Sequence, residues 1–201
     1  MAERSKWLPV VLVLVALAAA GAAWAQAEEQ EGGMPPEMMA AWEKAAATNE
    51  HHQHLARFAG QWNASGKFWM QPGAPPTESQ GKATNEMIMD GRFLQSKFQG
   101  EFMGQPFTGM GIDGYDNVLG KHVGTWIDSA GTMIMQFLGE CAEGGKVTNS
   151  RSDFTDPMTG QKTTMKGRVT MVDPNKFLYE SWSQGPDGEF FKSMEITYTR
   201  I

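Results

Sequence analysis

The chain carries four histidines and one cysteine, and three of the histidines stand together in the segment Glu50-His51-His52-Gln53-His54. Neutral imidazoles bind zinc, nickel and copper well, and on one short helix His51 and His54 would share a face. A structural zinc site needs about four ligands, and no second group of His or Cys lies near this segment in the sequence. The pattern therefore favours a solvated helix end, and no metal site is predicted.

The cysteine and the fourth histidine lie much later in the chain. Cys141 is the only cysteine, so it cannot form an intrachain disulfide, and it follows the apolar run 133–138. A free Cys in such a place behaves as a small hydrophobe, which favours a structural role over a catalytic thiol. His122 is the only histidine in the predicted strands, and it could ligate a haem if its side chain pointed inward. No cofactor is predicted, and haem bound through His122 is the alternative.

The acidic and glycine-rich segments give no catalytic group. Asp113, Asp116 and Asp128 lie near predicted turns or strand ends, where Asp usually bonds its own backbone, although paired carboxylates can also hydrolyse glycosides. The segment from Gly109 to Gly114 matches G-x-G-x-x-G. A strand rather than a helix is predicted after it, so the context for binding a dinucleotide pyrophosphate is missing.

A Met- and aromatic-rich set is more informative. Met is flexible and polarisable, which suits an adaptable ligand surface, while small barrels are often filled by side chains. A ligand pocket and a filled core therefore both stay open. Arg92 is the natural anchor for a carboxylate head group, and we expect it near a mouth together with Trp126. The candidate ligand-binding residues are Trp62, Phe68, Met87, Arg92, Trp126, Met165 and Met171.

Short β-strands must carry these residues. From Trp62 onward apolar and polar residues alternate with a period of two, and no connection is long enough for a crossover helix. Turn residues separate the predicted strands. Asp90-Gly91, for example, predicts a two-residue hairpin turn. The chain is therefore predicted to be mainly β, an antiparallel up-and-down barrel of about ten strands, with a two-layer sandwich as the alternative. The predicted strands are 61–70, 82–89, 92–102, 107–112, 121–128, 132–138, 146–154, 165–171, 176–183 and 189–200.

The N-terminal segment has the pattern of an export signal. Arg4 and Lys6 precede the apolar run 10–20, and Ala23-Trp24-Ala25 forms a small-x-small cleavage site. Helix is predicted only over about 36–59, where such a segment would cover one open end of the barrel. The predicted organisation is a signal peptide at 1–25, a leader with an N-terminal helix at 26–50, and a β-barrel domain at 51–201.

Charge limits the classes of partner. The chain has a net charge of -6, and removing Glu3, Arg4 and Lys6 with the signal leaves 15 basic and 22 acidic residues, or -7. An acidic chain without a Lys/Arg cluster is poorly suited to nucleic acid or anionic lipid. We expect a periplasmic or extracellular protein without a nucleic-acid partner and without stable membrane insertion after cleavage. The sequence predicts no oligomeric state.

Several short motifs can be compared with known families. They are Trp62, Gly91-Arg92-Phe93-Leu94, Gly114-Tyr115-Asp116-Asn117, Trp126-Ile127-Asp128-Ser129, Asp156-Pro157 and Met194-Glu195-Ile196-Thr197-Tyr198. Over about 51–201 this set resembles the bacterial domain-of-unknown-function family numbered 1579. The resemblance implies no assigned reaction, and by fold analogy it implies a calycin-like barrel, the class of lipocalins and fatty-acid binders.

Three functions are compatible with the sequence. The first is a non-enzymatic exported binding protein whose barrel takes a small apolar or amphipathic molecule. The second is a structural or interaction domain with a filled barrel. The third is a hydrolase-type enzyme acting through turn acids or His122.

The signal predicts the N-terminus of the exported protein. Cleavage after Ala25 should give a mature chain that begins at Gln26 and has 176 residues of the 201. Intact-mass spectrometry of the secreted protein checks this, and a mass that corresponds to a chain still starting at Met1 would contradict it.

Overall fold

The structure is a computed structural model, and it describes residues 34–157, 159–185 and 187–201. The described residues from 44 onward form one compact unit, and residues 34–43 belong to another. The predicted signal peptide at 1–25 lies outside the described residues. Within the described part of the chain, every helix is too short or too polar to cross a membrane.

Two helices precede the strands, as predicted for 36–59. Helix α1 spans Pro36–Ala46 and buries none of its residues, and helix α2 spans Glu50–Ala56. Asn49 begins α2 with a reciprocal capping box, because its side chain accepts a hydrogen bond from the His51 N–H at 3.0 Å while its own N–H donates to His52 Nδ1 at 3.0 Å.

Within the described residues, ten strands close into one antiparallel barrel in sequence order, with β1 paired to β10. This confirms the up-and-down barrel and leaves no free sheet edge, which the sandwich alternative would have. The strands are β1 Gly60–Phe68, β2 Thr77–Ile88, β3 Phe93–Phe102, β4 Gln105–Asp116, β5 Lys121–Asp128, β6 Met135–Ala142, β7 Val147–Thr155, β8 Lys162–Asp173, β9 Lys176–Gln184 and β10 Phe190–Arg200, and the short 3-10 helix Glu143–Gly145 joins β6 to β7.

Most strand boundaries differ from the prediction by one to five residues, and three of these differences bear on the candidate site. β4 continues to Asp116 rather than ending at 112, so Asp113 is a strand residue rather than a turn residue. β6 ends four residues later than predicted, which places Cys141 in the strand. The β2–β3 loop has four residues rather than two, because Ile88 pairs with Phe93.

The packed core of the barrel lies at the end that α2 covers. Trp62, Ala83, Met171 and Phe177 form a buried cluster, and Phe58, just after α2, packs against it. α2 itself packs against β2, β3 and β4. The helical segment therefore closes one end of the barrel, as the sequence predicted. We call this end the capped end.

Side chains of the barrel bind the backbone carbonyls of the segment that directly follows α2. Trp62 Nε1 and Asn85 Nδ2 both donate to the Phe58 carbonyl, at 2.9 and 3.0 Å. Arg200 donates to the carbonyls of Ala59 at 2.8 Å and Arg57 at 3.1 Å. Its guanidinium also stands 4.1 Å from the centre of a Trp62 ring. Carbonyls just beyond a helix end have no partner within the helix, so these bonds supply donors for them.

Two loop residues hold the other side of α2. Asn117 Nδ2 donates to the carbonyls of Ala45 at 2.9 Å and Ala47 at 2.7 Å, and its Oδ1 accepts from Asn49 Nδ2 at 2.7 Å. Arg92 Nε donates to the Ala46 carbonyl at 3.1 Å. The Gly-Tyr-Asp-Asn and Gly-Arg-Phe-Leu motifs therefore have a structural role in fixing the helical segment.

Replacing Arg200 tests this attachment. Arg200→Ala removes both bonds to the helix end and the contact with Trp62, so we expect it to lower the free energy of unfolding by about 2 kcal/mol. Arg151→Ala is the matched control, because Arg151 pairs with Asp153 on the exposed surface. Such pairs contribute little, so the control should change stability by less than about 0.5 kcal/mol. Urea denaturation measures both, and equal losses would contradict the proposed role of Arg200.

Candidate functional site

Glycines on the inward face of the barrel leave space for aromatic rings to pack directly against the strands. The Trp126 ring lies flat on β4, where a Cβ at Gly109 would overlap it and one at Gly111 would lie 3.1 Å from its Cε3 atom. The Phe98 ring covers Gly81 and Gly100 in the same way. Because these positions carry no side chain, the aromatic rings lie along the wall and do not project across the barrel.

The inward-facing side chains away from the capped end are less buried than those of the packed cluster. Strand register places a set of Met and aromatic side chains on the inward face, and each is only half-buried, whereas Trp62 in the packed cluster is 0 % exposed. A core filled by side chains would bury these Met and aromatic residues as fully as Trp62. We call this region the open half. Its half-buried apolar residues are Phe68, Phe102, Phe107, Trp126, Met135, Phe137, Phe154, Met165 and Met194.

The structure distributes six of the seven sequence-predicted residues along the inward face. Trp62 and Met171 belong to the packed cluster at the capped end. Met87 is half-buried on the inward face of β2, near the same end. The others face the open half; they are Phe68, Trp126 and Met165.

The seventh residue, Arg92, does not join them. It lies in the β2–β3 loop at the capped end, with 40 % of its side chain exposed, and it donates to the carbonyls of Ala46 and Met89 and pairs with Asp90. Trp126 lies in the open half instead, so the expectation that Arg92 and Trp126 share one mouth is wrong. The loop adopts a conformation that ties Arg92 to the helical segment, which the sequence pattern did not reveal.

Asp113 is an interior polar group that sequence reasoning assigned to a turn. It lies on the inward face of β4, opposite Gly124, where a Cβ would be 2.5 Å from its Oδ1 atom. Burial raises the pKa of Asp113 to about 7. Asp116 behaves as predicted, because its Oδ1 accepts bonds from the N–H groups of Val118 and Leu119 at 2.8 and 2.9 Å.

Two tyrosines share the interior with Asp113. Burial and, to a smaller extent, the nearby charge of Asp113 together raise the pKa of Tyr179 to about 12. Burial also raises the pKa of Tyr198, whose ring stacks on Phe177 at 4.2 Å. Both hydroxyls therefore stay protonated at neutral pH, and Tyr179 offers a hydroxyl donor near the carboxyl of Asp113. A carboxyl with a pKa near 7 can also exchange protons, as a general acid or base does.

A second polar group lies at the capped end and contains all four histidines and the cysteine. The His51 ring stacks on Tyr115 at 3.8 Å and meets the His122 ring edge-on at 5.5 Å. His54 Nδ1 lies 3.7 Å from Cys141 Sγ. The expectation of a solvated helix end is wrong, since His52 is only 6 % exposed. Cys141 also joins the histidines, because β6 extends far enough to bring it to them, and the sequence did not reveal this proximity.

Burial favours the neutral imidazole at His52, His54 and His122. It lowers the pKa of His122 to about 4, with contributions from His51 and His54, and it lowers the pKa of His52 and His54 as well. His122 is only 7 % exposed and packs against His51 of α2. A porphyrin would have to displace α2 to reach its ring, so haem ligation through His122 does not fit this arrangement.

A cleft of about 270 Å³ opens beside this group and is lined by His51, His54, Cys141 and the turn that follows β6. A shallower groove of about 490 Å³ lies elsewhere on the barrel and includes Asn63, Lys82 and Glu101. That groove is lined largely by exposed polar side chains of β1–β3, so the capped end and the interior remain the two candidate sites.

The raised pKa of Asp113 predicts a specific pH dependence. In the unfolded chain an Asp ionises near pH 4, while in the fold Asp113 holds its proton until about pH 7. The stability contribution of this group is therefore fully present below about pH 4 and is lost as the pH rises towards 7. Asp113→Asn should remove this loss, so the variant should gain stability over the wild type from pH 4 to pH 8.

Urea denaturation of wild type and Asp113→Asn from pH 4 to pH 8 measures the difference in their free energies of unfolding. The titration of the histidines contributes equally to both proteins and cancels in this difference. A difference that stays constant with pH would contradict the buried position of Asp113.

Comparisons with known proteins agree with the barrel and define the family. Rv2717c from M. tuberculosis is 14% identical, with a TM-score of 0.56 over 77% of this chain and 99% of that chain. An S-type phycobiliprotein lyase from Guillardia theta is 10% identical, with a TM-score of 0.53 over 80% of this chain and 96% of that chain. Both show likeness of fold alone, and this likeness confirms the calycin-like barrel.

No curated protein matches this chain significantly in sequence. Residues 47–200 match the model of a family described as a protein of unknown function, DUF1579. This match spans most of the chain and contains the Trp62, Gly-Arg-Phe-Leu, Gly-Tyr-Asp-Asn and Trp-Ile-Asp-Ser motifs. The chain therefore belongs to the DUF1579 family.

Proposed function

We propose that this protein binds a small amphipathic molecule inside its barrel, with the apolar part of the ligand in the open half. The observation that carries the proposal is the half-buried state of inward-facing apolar residues on facing strands, such as Phe102, Phe137 and Met165. Ligand pockets are typically concave, lined by apolar and aromatic side chains, and provided with a few polar groups. The open half, with Asp113 and Tyr179 further in, has this composition.

Asp113 determines the chemistry of the polar end of the ligand. Burial disfavours the charged form of Asp113, and an ammonium or hydroxyl group of a ligand would satisfy its carboxyl. A carboxylate head group would instead meet Asp113 while Arg92, its expected anchor, lies outside in the β2–β3 loop. The ligand is therefore an amine or alcohol in preference to a fatty acid, and the predicted export signal would place such a carrier outside the cytoplasm.

A neutral apolar dye, N-phenyl-1-naphthylamine, tests whether the open half takes a ligand. Wild type should enhance its fluorescence, and Met165→Arg should weaken binding by roughly tenfold or more, because the substitution places an unpaired charge in an apolar space. Val172→Arg is the matched control, since Val172 stands on the same strand and is 47% exposed. It should bind within about twofold of wild type.

Circular dichroism must show that each variant is folded. A folded wild type that does not bind the dye, or equal binding by a folded Met165→Arg, would contradict the proposal and favour the filled structural barrel.

Displacement of the dye identifies the head group. A long-chain alkylamine and the alcohol of equal length should displace it at lower concentrations than the matching fatty acid, because Asp113 accepts hydrogen bonds and opposes a second negative charge. Asp113→Asn should remove most of the preference for the amine over the fatty acid. A preference for the fatty acid in wild type would overturn the assignment of Asp113 while leaving the apolar site intact.

A further inference from the structure

The cluster at the capped end carries an inference separate from ligand binding in the barrel. We propose that His51, His54 and Cys141 bind one divalent transition-metal ion of the zinc class. Each residue offers one ligand atom, and these atoms lie within 4.8 Å of one another. Two imidazoles and one thiolate are the ligand types that Zn²⁺ prefers, and cobalt can take the same positions.

The separations require only small side-chain movements. Zinc bonds of 2.0 to 2.3 Å in tetrahedral geometry place ligand atoms roughly 3.5 Å apart. His54 Nδ1 and Cys141 Sγ are already 3.7 Å apart. Both histidines stand on α2, and Cys141 stands on β6, so the ion would join the helix to the barrel wall.

Unpaired nitrogens in the same cluster are a second, independent observation. His51 Nδ1 is buried and has no hydrogen-bond partner among the described residues. His122, which packs edge-on against His51, is 7 % exposed, and its Nε2 likewise lacks a partner within the described part of the chain. Buried polar atoms are nearly always satisfied, so the unsatisfied Nδ1 atom of His51, one of the three proposed ligands, is an unusual feature that a bound cation would explain.

The turn after β6 is shaped around the His54 ring. Gly145 has φ +82°, and a Cβ at this position would overlap the ring of His54. Its neighbour Gly144 has φ +63°, but a Cβ at Gly144 would meet nothing within 4 Å. Glycine at 145 therefore serves two needs, the backbone conformation and the close approach of the imidazole that we assign as a ligand.

Three protein ligands leave one position of a tetrahedral ion free. The cleft of about 270 Å³ borders the ligands and is also lined by Glu50 and Glu143. A zinc ion with three protein ligands keeps water or an exogenous ligand in its fourth position. The ion would therefore be accessible from this cleft, and a small anionic or thiol-containing molecule could bind to it directly.

Titration of the mature, metal-free protein with Co²⁺ and Zn²⁺ tests the site. Co²⁺ should bind with a stoichiometry of one and produce the thiolate-to-cobalt charge-transfer absorption, and Zn²⁺ should displace it. Zn²⁺ should also raise the melting temperature, because it binds the folded state. Cys141→Ser should abolish the charge-transfer band and weaken Zn²⁺ binding by roughly tenfold or more, as loss of a ligand does.

His52→Gln is the matched control. His52 stands on the same helix, but it bonds Asn49 in the capping box, and Gln at this position keeps that bond. The variant should retain the cobalt spectrum and the Zn²⁺ affinity of wild type. Loss of both in a folded His52→Gln would contradict the ligand assignment. So would a wild type without the charge-transfer band, or a folded Cys141→Ser that binds Zn²⁺ as tightly as wild type.

A pair of glycine variants separates the ligand geometry from the effect on the backbone. Gly144→Ala and Gly145→Ala both place Ala in the left-handed region, so both carry the same kind of backbone strain. Only Gly145→Ala displaces the His54 ring, so only this variant should lose Zn²⁺ affinity, by about tenfold or more. Equal Zn²⁺ affinity of the two variants, with both folded by circular dichroism, would overturn the role assigned to His54.

Discussion

The attachment of α2 to the barrel is the interaction on which the rest of the structure depends. The segment that follows α2 presents carbonyls at Arg57, Phe58 and Ala59, and side chains of β1, β2 and β10 satisfy all three. These bonds fix the helix over one end of the barrel, where Phe58 completes the packed cluster. Because the helix is fixed in rotation as well as position, its histidines meet Tyr115, His122 and Cys141 rather than solvent. The same closure leaves the opposite half of the barrel to determine what can enter.

The open half depends on glycine more than on any other residue type. Inward-facing glycines let Trp126 and Phe98 lie along the wall, and Gly124 leaves room for the carboxyl of Asp113. A barrel of ten strands is wider than one of eight, and in our proposal the side chains that lie along its wall leave room for a ligand. The interior is therefore apolar near the opening and polar further in, around Asp113 and Tyr179. This order is what an amphipathic ligand with a donor head group requires.

Much of the fold could be predicted from the sequence, because period-two alternation and turn residues are local signals. β5, at Lys121–Asp128, was predicted to the residue, and the helical segment before Gly60 was predicted as a cap. The errors arose where a strand continued past an ambiguous end. β4 was ended at 112, which turned Asp113 into a turn residue, and β6 was ended at 138, which separated Cys141 from the sheet. The meeting of Cys141 with His54, 87 positions away, is a consequence of barrel closure, and no local pattern encodes it. Arg92 was misplaced for a similar reason, since its partners are backbone carbonyls of the helical segment.

The central claim is that the half of the barrel away from α2 is open to a ligand. A crystal structure of the mature protein purified from its own host, at a resolution that shows ordered water, tests this most directly. The account predicts non-protein density between Phe102, Phe137 and Met165, from a retained small molecule or from water that continues to Asp113. Side chains that meet across the barrel axis, with no density between them, would contradict it.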